Sequence, residues 1–225
     1  MIIACDTSSV ICSVAVVDNG QVLFEREATG GQIHIEKLSP FLKEALSFCQ
    51  QKGTEIDGLA VAIGPGSFNG LRIGLATMKA LAVSLELPLI PVPTTDAMAF
   101  SIQNSLNGLV RVVIYSHRNF VHYADYTLTP GEKIITPAFS YLTWDQLFDL
   151  NVNHFLGKSD RGFQEWLATE AGQLVSEKFV EIDASAASVG LLAESRTEAG
   201  LTELDQLEPL YNVSYEAKKW VAPQF

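Results

Sequence analysis

The residues of this 225-residue chain best suited to chemistry fall in two short stretches, each directly behind an apolar run. Asp6-Thr7-Ser8-Ser9 follows residues 2–5, and Gly64-Pro65-Gly66-Ser67-Phe68-Asn69-Gly70-Leu71-Arg72-Ile73-Gly74 follows residues 58–63. Glycines ahead of a helix permit unusual backbone angles and close approach. The helix start then offers free N–H groups and the positive end of the dipole. Together these stretches describe an anion or ligand loop at the carboxyl edge of a sheet, built from Asp6, Thr7, Ser8, Gly64, Gly66 and Ser67. No Lys-Ser or Lys-Thr closes the loop as in a Walker A motif, and its glycine spacing is not a dinucleotide fingerprint. For Asp6 the favoured fate is the commoner one, capping the turn that follows it.

The other reactive side chains stand alone. His34 is followed four residues on by Leu38, so no second imidazole shares its helix face, and a single histidine is far more often structural than metal-binding. His117, His122 and His154 have no partner pattern, and Ser9 and Ser67 lie in no nucleophile elbow. No catalytic residue and no metal site is therefore assigned. Cys5, Cys12 and Cys49 sit inside apolar patterns and read as buried thiols of a reducing compartment. A net charge of −11 opposes phosphate backbones and argues against unaided nucleic-acid binding. No apolar run is long enough to span a membrane, and no basic region precedes the first one, so a cytoplasmic chain without a secretory signal is expected. Asn212-Val213-Ser214 matches a glycosylation sequon that has no meaning without secretion.

The elements that would position these residues follow from periodicity. Strands are expected over 2–5, 11–17 and 21–27, the last two joined by a tight turn at Asp18-Asn19-Gly20. Leu38, Phe41, Leu42, Ala45, Leu46 and Cys49 form a helical stripe, which starts either at Pro40 behind a Ser39 cap or nearer Ile33 with Pro40 inside. A buried parallel strand over 58–63, a helix over 68–85, a strand over 89–92 and a helix capped by Thr94, Thr95 and Asp96 complete a βββ-α-β-α-β-α order. Residues 104–108 are polar and turn-rich. Strands at 110–115, 120–126, 154–156 and 179–182, a capping box at Thr143-Trp144-Asp145-Gln146, and helices after Arg161 and Asp183 make the second half a weaker echo of the first. The expected fold is α/β, two-lobed and actin/Hsp70-like with ribonuclease-H-like (ASKHA) strand order and a divergent second lobe. Its first lobe would span 1–103, its second 104–208, and a C-terminal tail 209–225 could return to the first lobe.

Gly70 and Gly74 are four apart on the second helix, where each costs roughly 1 kcal/mol relative to alanine. Two readings account for them: close packing inside the chain's own core, or close packing against a second subunit.

The opening Ile3-Ala4-Cys5-Asp6-Thr7-Ser8, the segment 34–46 and the Gly64–Gly74 stretch resemble the bacterial tRNA threonylcarbamoyladenosine biosynthesis family TsaB (YeaZ). The resemblance covers about residues 1–100, with Asn69 where threonine is usual. The second half departs from the family. Ser116-His117-Arg118 replaces an Asp-Ala-Arg-Arg-like element, and Asn212 and Val213 follow Pro209-Leu210-Tyr211 in place of Leu-Arg. The resemblance implies a degenerate, non-catalytic relative of the catalytic subunit TsaD. It implies pairing with a TsaD-like subunit and a TsaE-like ATPase, self-pairing as a homodimer when alone, and contact with tRNA only through the complex. No cofactor is expected on this chain, with ATP and metal on the partner subunits. The implied partner face is the first-lobe helix pair, with Ile33, His34, Leu38, Phe41, Leu42, Phe68, Leu71, Arg72, Gly74 and Leu75 as partner-binding residues; the two helices are expected to form one exposed apolar patch, with Ile33, Leu38, Phe41, Leu71 and Leu75 near it. The Asp6 and Gly64–Ser67 loop would be vestigial. No Asp-x-Gly-Gly element in the second half completes a phosphate clamp, which disfavours the competing reading of an independent ATPase or kinase.

Overall fold

The computed structural model describes residues 1–117, 120–147, 151–158, 161–196 and 204–210. Tyr211–Phe225 and Arg118, which carry part of the sequence argument, lie outside the described residues.

Three strands come first: β1 (Ile2–Asp6), β2 (Ile11–Asp18) and β3 (Gln21–Thr29). Asn19 and Gly20 both take left-handed φ, 50° and 74°, the pair a two-residue hairpin turn requires. Helix α1 (Ile33–Lys52) begins at Ile33 with Pro40 inside it, so of the two starting points the earlier one is observed. Pro40 is exposed, where water can serve the carbonyl that loses its helical donor. Gly53 ends α1 in a left-handed C-cap. Strand β4 (Gly58–Gly64), helix α2 (Phe68–Leu85), strand β5 (Leu89–Pro93) and helix α3 (Thr94–Ile102) follow.

The second half contains β6 (Gly108–His117), β7 (Phe120–Leu128), β8 (Ser140–Thr143), a 3-10 turn at Trp144–Gln146, and β9 (His154–Gly157). Helices α4 (Arg161–Leu167) and α5 (Glu170–Ser176), strand β10 (Phe179–Glu181), helix α6 (Ala186–Glu194) and a 3-10 turn at Leu204–Gln206 close the described chain. The capping box forms as expected, with Gln146 Oε1 accepting the Thr143 N–H at 3.1 Å.

The two five-stranded sheets have the same order, β3-β2-β1-β4-β5 and β8-β7-β6-β9-β10. In each, three antiparallel strands are extended by two parallel ones. This is the ribonuclease-H-like order twice over, the two-lobed actin/Hsp70-like architecture. Alternation along β1 sends Ile3 and Cys5 towards α1 and α2, and Ile2 and Ala4 to the opposite face. That opposite face is covered by α6, through Ala186, Val189, Leu192 and Ala193. Met98 and Ala99 of α3 in turn join the core of the second sheet. The last helix of each half thus packs towards the other half's sheet. Leu204, Leu207 and Leu210 pack back onto the core of the first.

One capping expectation is corrected. The N-cap of α3 is Pro93 with no side-chain cap bond, and Thr94, Thr95 and Asp96 form the buried first turn. Asp96 is instead a core acceptor. Its carboxylate takes hydrogen bonds from Tyr126 Oη (2.7 Å), Arg196 Nη2 (2.7 Å) and Thr136 Oγ1, tying α3 to β7, the 129–139 loop and the end of α6.

Candidate functional site

The fold brings the two chemically suggestive stretches together. Thr7 Oγ1 donates to the Gly70 carbonyl at 2.8 Å, and the Ser67 N–H donates to the Ser8 carbonyl at 2.6 Å. Ser67 caps α2, its hydroxyl accepting the Gly70 N–H at 3.2 Å. The glycines permit this approach: a Cβ on Gly66 would lie 2.3 Å from the Ser8 carbonyl oxygen, on Gly70 2.0 Å from that of Thr7, and on Gly74 2.2 Å from Thr7 Oγ1. Of the two readings of Gly70 and Gly74, internal packing is the one observed.

Asp6 caps its turn, its Oδ1 accepting the Ser8 N–H at 2.7 Å. Burial pushes its carboxyl from 3.8 up to about 6, against the hydrogen bonds from Ser8 and Thr7, with Asp183 adding to the rise. His34 is half-buried, its Nε2–H donating to the Ser9 carbonyl at 3.0 Å, while Nδ1 is buried without a hydrogen-bond partner. Burial lowers its pKa, and the Ser9 bond opposes that only in part. Cys5, Cys12 and Cys49 are free and buried.

Above this turn lies a cleft of about 360 Å³ between the sheets. Ser8, Ser9, Gly66 and Ser67 line one wall, and Val113, Tyr115, Lys158 and Asp183 line the other. Lys158 Nζ pairs with Asp183 Oδ2, and Ser9 Oγ reaches the same oxygen at 3.3 Å. Lys158 and Asp183 were not singled out in the sequence, because single charged residues far apart in the chain leave no local pattern. Among the described residues, no group of three or more His, Cys, Asp or Glu side chains could hold a metal ion. No helix of the described residues is long and apolar enough to cross a membrane.

The α1/α2 face differs from expectation. Ile33, Leu38, Leu42, Leu71, Gly74 and Leu75 are buried in the chain's own core, because the stripe read from their spacing is the one α1 and α2 turn towards β1, β2 and β4. His34 and Phe41 are half-buried, and only Phe68 and Arg72 of that set are exposed. The outward set is Ile35, Phe68, Arg72, Ala76, Ala80 and Val83, edged by half-buried Ile73, Thr77 and Leu81. Ile35 is 70% exposed, Val83 67% and Phe68 49%, with the Arg72 guanidinium stacked 3.9 Å above the Phe68 ring. A shallow groove between the helices is lined by Leu42, Leu46, Thr77, Ala80, Leu81 and Ser84 among others. One signal could have revealed this face: α2 carries only Arg72 and Lys79 as charges in 18 residues, so part of what it turns to water is apolar.

Comparison with known proteins gives a consistent set. Residues 27–153 match the family model described as TsaD: tRNA N6-adenosine threonylcarbamoyltransferase. The chain is 28% identical over 222 residues to the tRNA threonylcarbamoyladenosine biosynthesis protein TsaB of Escherichia coli K12, covering 93% of each chain. It is 29% identical over 154 residues to the protein of the same name from Haemophilus influenzae, covering 67% of this chain and 63% of that one. The solved structure of YeaZ from Pseudomonas aeruginosa superposes with a TM-score of 0.73 at 22% identity, covering 93% of this chain and 98% of that one, a likeness of fold.

Proposed function

We propose, from the premise that this chain belongs to the TsaD family and within it to the TsaB (YeaZ) type, that it is a non-catalytic subunit required for threonylcarbamoylation of the adenosine beside the anticodon of tRNA. It acts by binding and stabilising a TsaD-like catalytic subunit, together with a TsaE-like ATPase. ATP and metal belong to those partners, and this chain holds no cofactor of its own. The single observation that carries the reading is the outer face of α1 and α2. A helix of 18 residues with two charges turns Ala76, Ala80 and Val83 to solvent beside Phe68 and Ile35, in a chain of net charge −11. Small side chains along a helix let another backbone come close, and an apolar face of this kind on a soluble chain marks a contact. With no partner the same face serves a second copy, giving a homodimer.

The acidic surface sets the division of labour. It repels a polyanion over the Debye length of about 8 Å, so tRNA is reached through the complex, in the cytoplasm. The cleft supports a non-catalytic role: Asp6 is turned inwards onto the Ser8 N–H and does not line the cleft, whose far wall carries the Lys158–Asp183 pair.

The test is association of the purified chain with the TsaD-type subunit of its own organism. Ala80→Glu is expected to abolish co-elution in gel filtration while leaving the melting temperature of the isolated chain unchanged. Undiminished co-elution of a folded Ala80→Glu chain overturns the reading. Leu71→Glu and Gly74→Arg are unsuitable, since both positions are buried against the chain's own core and such variants would report on folding.

A further inference from the structure

We propose that the turn formed by residues 6–9 is a lever that couples the inter-sheet cleft to the α1/α2 face, so that breaking the Ser9–Asp183 contact loosens that face although neither residue belongs to it. The inference rests on the reading of the face given above and adds its regulation.

The turn touches three bodies at once. Towards α2, the Ser8 carbonyl holds the Ser67 N–H at 2.6 Å and Thr7 Oγ1 holds the Gly70 carbonyl at 2.8 Å. Towards α1, the Ser9 carbonyl holds His34 Nε2 at 3.0 Å. Towards the second sheet, Ser9 Oγ reaches Asp183, which Lys158 also binds and whose Oδ1 accepts the Ala184 N–H at 3.0 Å just ahead of α6.

These contacts have little slack. The space at Gly66 and Gly70 does not admit even a Cβ without moving the backbone of the turn or the helix, and at Gly74 a Cβ would displace the Thr7 hydroxyl. Thr7 is fully buried and Ser8 nearly so. Interiors packed to this density transmit displacement instead of absorbing it. A shift of Ser9 away from Asp183 must therefore pull on His34 at the start of α1 and on Ser67 and Gly70 at the start of α2. Those two helix starts carry Ile35, Phe68 and Arg72, which the partner would cover. The cleft wall and the face are the two sites, and the turn is the physical link between them. Couplings of this kind are typically five-fold or more in affinity.

The test uses Ser9→Ala, which keeps the carbonyl that His34 binds but removes the hydroxyl that reaches Asp183 and accepts the Ile11 N–H at 3.2 Å, together with Asp183→Ala, which breaks the cross-cleft contact and leaves that turn bond in place. On the isolated chain, amide hydrogen exchange is expected to speed up several-fold at residues 35–38 and 70–74, the first hydrogen-bonded amides of the two helices, in both variants, with global stability checked by urea unfolding. Exchange changes confined to residues near 9, 158 and 183 overturn the lever. Titration of the TsaD-type subunit is then expected to show about five-fold weaker binding for Ser9→Ala. An unchanged Kd for both variants overturns the lever as well. If the wild-type chain does not bind that subunit, the functional reading falls, and the exchange experiment still decides the lever alone.

Discussion

The two halves share a strand order and differ in what covers their outer faces. Over the first sheet lie two long helices, α1 of 20 residues and α2 of 18. Over the second, among the described residues, the corresponding stretches hold a single 3-10 turn at Trp144–Gln146 and two helices of seven residues, α4 and α5. The short cover closes itself with rings: Trp144 stacks on Trp166 at 4.7 Å, and Phe163 lies 4.1 Å from Phe179. Large aromatic side chains seal a core with few residues. The long cover does the opposite, sealing its core with Leu38, Leu42, Leu71 and Met78 while leaving Ile35, Phe68 and Val83 outside. A layer that only has to close its own core can be cut short, and on the proposed reading the long layer keeps its length because it also meets a partner.

The sharpest way to break this contrast is to charge both covers. Ala80→Glu on α2 should weaken association by about 4 kcal/mol, the cost of an unpaired charge buried at an interface. Leu174→Glu on α5, where Leu174 is 62% exposed, should leave association unchanged in the same gel-filtration assay. Equal losses from both would erase the distinction.

Second in size is the pH dependence of the first half. β1 ends in Asp6, whereas its counterpart β6 ends in Ser116 and His117 and carries no acid there. The Asp6 carboxyl rises from 3.8 unfolded to about 6 folded. The folded chain therefore holds a proton that the unfolded chain releases between those values. Asp6 thus costs stability as pH rises through that window, by on the order of 3 kcal/mol once pH exceeds the folded value. Urea unfolding should show Asp6→Asn more stable than wild type at pH 7.5 and equal to it near pH 4. A constant difference across that range contradicts the assignment.

Gly70→Ala should destabilise by about 2 kcal/mol, since the new Cβ meets the Thr7 carbonyl oxygen at 2.0 Å and the helix-propensity gain offsets only part of the strain. Gly74→Ala should cost less, because the atom it meets is the Thr7 hydroxyl, which can rotate. Smallest is Thr143→Ala in the second half, about 1 kcal/mol from the lost cap, read from the denaturation midpoint.

The sequence carried most of the fold because its signals are local. Turn residues at Asn19-Gly20, the apolar runs of β1 and β2, and the helical stripe from Leu38 to Cys49 each fix an element within a few residues of its neighbours. In the first half the strand boundaries, and those of α2, fall within two residues of the spans read from pattern. The candidate site was legible only in part. Asp6 and the Gly64–Ser67 loop were found because each is a contiguous motif. Their cleft partners Lys158 and Asp183 follow β9 and β10, far along the chain from Asp6, and left no trace in spacing. Most residues read as an exposed α1/α2 patch lie on the buried sides of those helices. Periodicity identifies an apolar stripe, and in a sheet-backed helix that stripe belongs to the chain itself.

The exchange of α3 and α6 between the halves bears on how the gene can be cut. A fragment ending at residue 103 would lack Ala186, Val189 and Leu192 and would present Ile2, Ala4, Ala15 and Val17 to water as a bare sheet. Neither half is a separable module for expression or fusion, so fragment complementation would require both pieces to be made together.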